Sequence, residues 1–438
     1  MAVVVQPCMF SWEAVEGSSD IQRFERLLAG LDDEALMAEL EGRRRGRRND
    51  NPVRCLWNAL LAGLVFGHES IESLRRELRR NAELRQACGF DPLRGDQAVP
   101  SKFAFSRFLV ALGQCPGAVA AVFEAQVDRL EALLPDFGRR LAADGKAIPA
   151  WRKGDTDADV GHKTVGQPDG PDGPAEKTLS WFGYKLHLIC DARYELPTGF
   201  RVTAASANES PHLQTIVEHL NERHPELIQR AESLAADRGY DDGADKAALW
   251  DDYGILPLIP ARDLHHGAMR PLNPARSDTI YVSPTGEVSC KIRPFAAPAE
   301  AYAAMQFQGF EADRQALKFR CPAAAFNLTC RNQEACQGPT KDTGFGRVVR
   351  VPLETDRRLF LPLYPHSYRF QDLYRQRTAV ERLFFRFDHL YGFERHTTRG
   401  LKRMTLRVTL ALTAMLATAA GWIEAGRLDK LRCMAQAA

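Results

Sequence analysis

Three acidic residues have the positions along the chain that a shared metal site needs. Asp144 ends the short stretch RRLAAD, Asp237 ends the apolar stretch AESLAAD, and Glu381 lies in a later segment with apolar residues at helical spacing. In open α/β sheets ligands gather outside the carboxyl ends of strands, where we expect both aspartates. Three carboxylates there need a cation, and hard ions such as Mg²⁺ bind carboxylate and phosphate oxygens. The pattern indicates phosphodiester chemistry with two ions about 4 Å apart.

Two further side chains share the predicted helix with Glu381. Tyr374, Arg377 and Glu381 have i, i+3, i+7 spacing, so on a helix over 368–391 they lie on one face. A carboxylate flanked by basic residues suits a metal ion that faces a phosphate. The alternative is a surface helix on which Arg377 and Glu381 form an ion pair worth roughly 0.2–0.5 kcal/mol.

The elements that must position these residues alternate between strand and helix patterns. TLSWFGYKLHLICDA and, after a turn, TGFRVTAAS have period-2 alternation, which predicts two antiparallel strands. A helix over 211–223, the strand before Asp237, the helix GADKAALWDDYG and the buried strand ILPLIPA follow. Alternating strands and helices with parallel crossings predict an α/β core. Residues 152–177 are rich in Asp, Gly and Pro, which predicts a loop.

The chain divides into four predicted parts, and its length suits roughly two to three domains. Residues 263–365 interrupt the α/β pattern with prolines, glycines and short strands, so we interpret them as an insertion. The parts are a helical N-terminal DNA-binding domain (1–135), the first part of the catalytic core (136–262), the insertion subdomain (263–365) and C-terminal helices that complete the core (366–438).

Composition limits the classes of protein that fit. The 438 residues are 45% hydrophobic and 26% charged with a net charge of +2, so a nucleic-acid partner has to be argued from local clusters. The N-terminus lacks the pattern of a signal peptide. The apolar run 408–423 is shorter than the roughly 20 residues of a membrane span, which favours a buried core helix and no membrane.

Basic residues cluster after the first helical segment. Two interpretations stay open for this cluster, a solvated loop or a contact with DNA phosphates. Residues 52–112 predict several short helices that form either a compact DNA-binding unit or a helical packing domain. The basic residues are Arg43, Arg44, Arg45, Arg47 and Arg48.

Ten cysteines without a secretory signal indicate reduced thiols or metal ligands more than disulfides. Four of them lie within the insertion. They could bind Zn²⁺ tetrahedrally, but the usual C-x2–4-C pairs are missing, so buried free thiols are the alternative. The four are Cys290, Cys321, Cys330 and Cys336.

A family resemblance rests on several motifs in a fixed order. They are WFGYKLHLI, LPTGFRVTAAS followed by NES, LAADRGYDD, and Y-x2-R-x3-E at 374–381. Together they resemble the DDE transposases of bacterial insertion sequences, in the group with a Tyr/Arg/Glu signature around the last acid. Residues 52–112, with VPSKFAFSRF, also resemble the N-terminal domain common in that group, so the resemblance covers residues 45–425.

The resemblance implies an RNase H-like mixed sheet flanked by helices, with a helical N-terminal domain and an insertion before the last catalytic helix. Such an enzyme cleaves the ends of its own element and joins the 3′-OH to target DNA. Asp144, Asp237 and Glu381 would be catalytic and hold two Mg²⁺ (or Mn²⁺) ions, and Tyr374 and Arg377 would contact DNA phosphate. The expected partner is double-stranded DNA, bound by a homodimer in the bacterial cytoplasm at the nucleoid.

One residue departs from the signature of this group. The signature places a lysine seven residues after the glutamate, where this chain has Asp388. Either Lys402 or Arg403 supplies the missing contact, or the function is lost. Two alternatives to the transposase therefore stay open, a structure-selective nuclease and a DNA-binding protein derived from an inactive transposase.

Overall fold

The computed structural model describes residues 19–44, 51–166, 176–274, 279–292, 301–328, 330, 336 and 345–432. Before the first strand, the described residues form seven α-helices. They are α1 (Ser19–Ala29), α2 (Glu34–Gly42), α3 (Val53–Val65), α4 (Ile71–Arg80), α5 (Ala82–Ala87), α6 (Lys102–Leu112) and α7 (Pro116–Leu133). Ser101 caps α6, because its Oγ accepts a hydrogen bond from the Ala104 backbone N–H at 3.2 Å.

The central sheet contains six strands with helices between the later ones. They are β1 (Arg140–Pro149), β2 (Asp159–Gly166), β3 (Glu176–Asp191), β4 (Leu196–Ala204), β5 (Ser233–Ala236) and β6 (Leu256–Leu258), with helices α8 (Ser210–Arg223), α9 (Pro225–Arg230) and α10 (Gly243–Asp251). The order is β4-β3-β1-β5-β6, and β2 pairs with the first half of β3.

Strand directions define the class of this sheet. β1, β3 and β4 pair antiparallel, whereas β5 pairs parallel to β1, and β6 parallel to β5. Helices make both parallel crossings, as such connections require. An antiparallel meander followed by parallel strands is the arrangement of an RNase H-like core. The predicted mixed sheet flanked by helices is therefore confirmed.

Two details of the central sheet differ from the prediction. β1 continues past Asp144 to Pro149, because β3 pairs with it up to that residue. Asp144 therefore lies inside the strand, opposite Leu188, and not at its end. β2, over Asp159–Gly166, occupies part of the predicted loop, because β3 satisfies its backbone groups without any need for an apolar pattern. The loop residues 167–175 lie outside the described part of the chain.

The insertion contains two small antiparallel sheets. Its described elements are β7 (Arg270–Pro271), β8 (Ile280–Val282), β9 (Val288–Ile292), β10 (Ala301–Ala304), β11 (Gln306–Glu311), β12 (Ala316–Arg320), the short helix α11 (Pro322–Ala325) and β13 (Val348–Pro352). One sheet has the order β10-β9-β8-β7 and the other β11-β12-β13. Twelve buried residues, among them Phe319 and Phe360, form a hydrophobic core separate from that of the central sheet.

Three further helices close the catalytic core. They are α12 (Tyr368–Tyr374), α13 (Thr378–Tyr391) and α14 (Leu401–Glu424). With a mean hydropathy of 1.5, α14 is apolar and long enough to cross a membrane, but 72% of this stretch is buried inside the molecule. The bent pair of α6 and α7 meets the same criteria only if both helices, 81° apart, count as one span. These are the properties of core helices.

α14 also joins the N-terminal helices to the sheet. It contacts α1, α3 and α7 on one side and β4 on the other. Buried residues from the N-terminal helices, the central sheet, α13 and α14 consequently form one continuous hydrophobic core. The predicted boundary at residue 135 divides the secondary-structure elements but not this core.

Candidate active site

Asp144 and Asp237 lie side by side because of the strand register. Parallel pairing of β1 with β5 places Ala143 opposite Ala236, and each aspartate directly follows one of these two residues. β5 ends at Ala236, and the Asp237 carboxylate accepts a hydrogen bond from the Gly239 backbone N–H at 2.7 Å. Backbone pairing alone therefore brings two of the predicted carboxylates to adjacent positions.

α13 brings the third predicted carboxylate to the same place. Arg377 donates from Nη1 to Asp144 Oδ2 at 3.3 Å and from Nη2 to Glu381 Oε1 at 2.6 Å. Its guanidinium thus bridges an acid of the sheet and an acid of the helix. The structure brings Asp144, Asp237 and Glu381 together, and their catalytic role stays a prediction.

The segment that carries Tyr374 and Arg377 is less regular than predicted. α12 ends at Tyr374, a 3₁₀ turn covers Arg375–Arg377, and α13 begins at Thr378, so 368–391 is not one continuous α-helix. The backbone angles of Tyr374 and Arg377 nevertheless stay in the right-handed helical region. Tyr374 stacks on Phe370 with ring centroids 6.0 Å apart. Burial raises the pKa of the Tyr374 phenol, which keeps this hydroxyl neutral.

The surroundings of Asp144 favour a bound cation. The side chain is buried, and burial together with the nearby charge of Asp237 raises the pKa of its carboxyl to about 6, against the opposing effect of Lys163. A buried carboxylate whose charge is disfavoured gains strongly from a positive ion beside it. Carboxylate oxygens are the donors that Mg²⁺ and Mn²⁺ prefer. The residues at this cluster therefore fit a hard divalent ion.

A fourth carboxylate, which the sequence patterns did not single out, belongs to this cluster. Glu209, just before α8, approaches the backbone of both aspartate-bearing segments. A Cβ at Gly145 would lie 2.9 Å from its Oε1, and a Cβ at Gly239 would collide with its Oε2. Lys185 of β3 pairs with it, with Nζ 3.3 Å from Oε1. Glu209 lies in the motif NES and Lys185 in the motif WFGYKLHLI. Their place in these family motifs is the sequence signal that could have identified them as site residues.

Asp388, the departure from the signature, has a lysine as its partner. Lys146 Nζ lies 2.6 Å from Asp388 Oδ2 and 3.5 Å from Glu394 Oε1. Because side chains alternate along a strand, Lys146 shares a face of β1 with Asp144. Burial raises the pKa of Asp388 although Lys146 acts to lower it. A lysine is thus present beside this position of α13, but it belongs to strand β1 and not to the helix.

None of the described contacts joins the other predicted DNA-binding residues to the three carboxylates. Lys402 lines a cavity bounded by α7, β4 and α14, and Arg403 lines another bounded by α3, α4 and α14. Neither cavity contains a residue of the predicted triad. Arg43 and Arg44 form ion pairs of 2.7 and 3.3 Å with acids of α2. The remaining members of the basic cluster, Arg45, Arg47 and Arg48, lie outside the described residues.

Two more groups of possible metal ligands lie outside the triad. Asp128, Glu131 and His224 have ligand atoms within 4.8 Å of one another. Ion pairs explain this group, because His224 Nδ1 lies 2.7 Å from Asp128 Oδ1 and its Nε2 contacts Glu124. The second group consists of the insertion cysteines. Cys290, Cys321, Cys330 and Cys336 line a common cavity.

Carboxylates gathered on an RNase H-like sheet define the class of metal-dependent polynucleotidyl transferases. The chain belongs to the transposase DDE domain family, because the model of this family matches residues 136–417. It is accordingly a DDE transposase. No curated protein matches the chain. Among solved structures it is similar to the piggyBac transposase in a cryo-EM synaptic complex with hairpin DNA, with 12% identity, a TM-score of 0.39, and coverage of 97% of this chain and 80% of that one.

Proposed function

We propose that this transposase cleaves the ends of its own bacterial insertion element and joins the freed 3′-OH to target DNA. The observation that carries the proposal is that Asp237 lies beside Asp144 on the sheet and Arg377 bridges Asp144 and Glu381. Phosphoryl transfer requires positioning and charge stabilisation and little covalent chemistry from the protein. No covalent protein–DNA intermediate is therefore needed.

The three acids are the proposed ligands of two ions, Mg²⁺ or Mn²⁺. When bound, such ions activate the attacking oxygen and neutralise charge on the leaving oxygen. The two ends of the cluster differ in exposure, since the Asp144 side chain is 7% exposed and that of Glu381 50%. DNA accordingly approaches from the side of α13, while β1 fixes the buried end of the site.

Arg377 is the proposed phosphate contact. A guanidinium has five N–H donors in a rigid fork, which suits phosphate oxygens. Two of its nitrogens donate to Asp144 and Glu381, and the Tyr374 phenol lies within electrostatic reach of it. Divalent ions on the carboxylates would compete with these contacts and direct the fork to the scissile phosphate. Tyr374 positions the fork from the buried side.

The test is cleavage of a labelled duplex that carries the DNA flanking the gene, with Mg²⁺ or Mn²⁺. Glu381→Gln removes one charge and keeps the side-chain shape. We expect it to lower the cleavage rate by at least about 10³-fold, on the scale of losing a main electrostatic stabiliser. Asp372→Asn is the matched control, because Asp372 is a 58% exposed acid of α12 outside the cluster. It should cleave at the wild-type rate.

Three results would contradict the proposal. Cleavage at the element end without any joining of labelled 3′ ends to a target plasmid would identify a nuclease. Binding of wild type and Glu381→Gln with equal affinity and no cleavage by either would identify a DNA-binding protein. Equal cleavage by both proteins would remove Glu381 from the site.

Joining two element ends in one reaction requires two copies of the site, so we include a homodimer on double-stranded DNA in the proposal. We also include the bacterial cytoplasm, at the nucleoid, as its location. Light scattering of the protein with and without an end duplex tests the first point, with a two-chain complex expected on DNA. Fluorescence microscopy of a tagged chain tests the second.

A further inference from the structure

Four cysteines of the insertion come together although they lie on different elements. Cys290 belongs to β9, Cys321 directly follows β12, and Cys330 and Cys336 lie between α11 and β13. All four line one cavity of about 30 Å³ where the two small sheets meet. A space of this size holds a single ion or water molecule, whereas pockets for organic ligands are roughly ten times larger.

The state of the thiols fits metal binding. All four are unpaired, and none is fully exposed. Cys290 lies within electrostatic reach of the three other thiols. Neutral thiols can share a small cavity without repulsion. A metal ion would displace their protons, because a coordinated thiol is deprotonated.

The lining of the cavity supplies charge of the correct sign. A divalent ion with four thiolates carries a net charge of −2. Lys291 and Arg347 line the cavity, and its described lining contains no acidic residue. Arg347 Nη1 lies 4.0 Å from Cys336 Sγ, and the Arg347 carbonyl accepts a hydrogen bond from the Cys321 N–H at 2.8 Å. Two cations therefore stand beside the place where negative charge would form.

We propose that Cys290, Cys321, Cys330 and Cys336 bind one structural Zn²⁺ ion that joins the two sheets of the insertion. Four thiolates select zinc among the common divalent ions, and a closed four-ligand site is structural. The missing C-x2–4-C pairs do not count against the site, because the fold and not local spacing brings the ligands together. Among the described residues, no three of these thiols have sulfur atoms within 4.8 Å of one another, so coordination of an ion would require the thiols to move closer together.

The insertion has a physical reason to need such an ion. Among the described residues, the hydrophobic core around its two sheets contains twelve buried residues, and six of them lie on the short strands. Small cores of this kind commonly depend on a metal or disulfides for stability. Because β9 and β12 belong to different sheets, one ion bound through Cys290 and Cys321 fixes the two sheets to each other.

The test measures zinc in the full-length protein, purified under reducing conditions without chelators. We expect one zinc per chain in wild type and less than about a tenth of that in Cys290→Ser and Cys321→Ser, since each variant loses a ligand of a four-coordinate site. Cys115→Ser is the matched control. This cysteine is buried at the start of α7, where serine is a good helix cap, so zinc should be retained.

A second measurement needs only the wild type, in case the variants do not fold. CoCl₂ added to metal-free protein should produce thiolate-to-cobalt charge-transfer bands. Bound metal should also protect the four insertion cysteines from alkylation, as located by peptide mass spectrometry. Equal zinc in wild type and the ligand variants would overturn the proposal, as would wild type without zinc or cobalt bands. Disulfides among these cysteines that persist after purification under reducing conditions would overturn it too.

Discussion

The carboxylate cluster of the active site and the cysteine cluster of the insertion neutralise their charge in different ways. Arg377 bridges Asp144 and Glu381, and Lys185 pairs with Glu209, so protein cations accompany the acids. The cysteine cluster instead consists of thiols, which as a class are uncharged at neutral pH. Carboxylates are charged at neutral pH and must find partners during folding, whereas thiols can fold protonated and exchange their protons for a metal later.

The two regions also differ in the hydrophobic core that supports them. The carboxylates stand on adjacent strands of the central sheet and on α13, all anchored in the main hydrophobic core. The cysteines join two small sheets around twelve buried residues. The comparison indicates that the active site is assembled by the protein alone and that the insertion relies on its ion. Variants that remove single charges around the active site test the first half of this statement.

Substitution of Glu195 should have the largest effect on the free energy of unfolding, because this residue fixes α13 to the β3–β4 turn. Its buried carboxylate pairs with Arg386 and accepts a hydrogen bond from Arg382 Nε at 2.6 Å. Glu195→Gln leaves Arg386 buried without a counter-charge, which costs about 3–5 kcal/mol. The free energy of unfolding, measured with urea, should fall by this amount. Arg382→Ala, at a residue 52% exposed, is the control and should cost less than about 1 kcal/mol.

A loss below that of the control would show that packing and not charge fixes α13. In that case the charges around α13 would contribute little to the assembly of the active site. The catalytic rate offers a second readout, since Glu381 lies five residues before Arg386 on α13. Displacement of α13 should lower cleavage even at a urea concentration where Glu195→Gln remains folded.

The sequence predicts those parts of the site that depend on local patterns. The β3–β4 hairpin, α8 and Asp237 after β5 follow from periods of two and 3.6 residues and from turn chemistry. The position of Asp144 inside β1 does not, because the length of that strand is set by its distant partner β3. β2 was missed for a related reason, since its polar residues carry no alternation and only pairing reveals it.

Charge pairing across the fold is the second thing that sequence patterns do not contain. Lys146 and Asp388 are 242 residues apart, and no local rule connects them. The same holds for Glu209 and Lys185, which meet only because β3 and the segment before α8 converge. The sequence therefore indicated Asp144, Asp237 and Glu381 with the nearby Arg377. It indicated neither Glu209 nor the pairing of Lys185 and Lys146 with distant acids.

The pair of Lys146 and Asp388 should give an intermediate effect. Both side chains are largely buried, with exposures of 10% and 21%. Lys146→Met leaves Asp388 unpaired and should cost about 2 kcal/mol in urea unfolding, less than a fully buried pair. Asp388→Lys alone places two ammonium groups together and should also destabilise, although it restores the signature lysine. Lys146→Asp combined with Asp388→Lys should recover most of the loss.

Recovery in the exchanged pair is the decisive comparison. If Asp388→Lys alone raised both stability and cleavage, the lysine on α13 would be the functional one and the pair seen here a substitute of lower activity. If neither single variant changed stability, Lys146 and Asp388 would be solvent-screened and would contribute nothing to assembly. A coupling energy near zero in the double-mutant cycle of Lys146→Asp, Asp388→Lys and their combination would have the same meaning.

Substitution of His224 should have the smallest effect on the free energy of unfolding, and this effect should depend on pH. Burial alone would lower the pKa of His224, but hydrogen bonds to Glu124 and Asp128 raise it overall. Burial would raise the pKa of Glu124, but its hydrogen bonds to His224 and His219 lower it overall. The pair therefore stabilises the fold above the usual pKa of Glu124 and below that of His224. This contribution is lost at both lower and higher pH.

Because the pKa of His224 is raised in the folded protein, its contribution to stability should be lost as the pH rises. Wild type should lose about 1 kcal/mol relative to His224→Gln as the pH rises through the raised pKa of His224, because the charged hydrogen bonds become neutral ones. Urea unfolding of both proteins across this range measures the difference. His219→Gln is the control, since His219 is 50% exposed and its bond to Glu124 is screened. A pH dependence identical in wild type and His224→Gln would mean that this contact, unlike the carboxylate cluster, is held by packing alone.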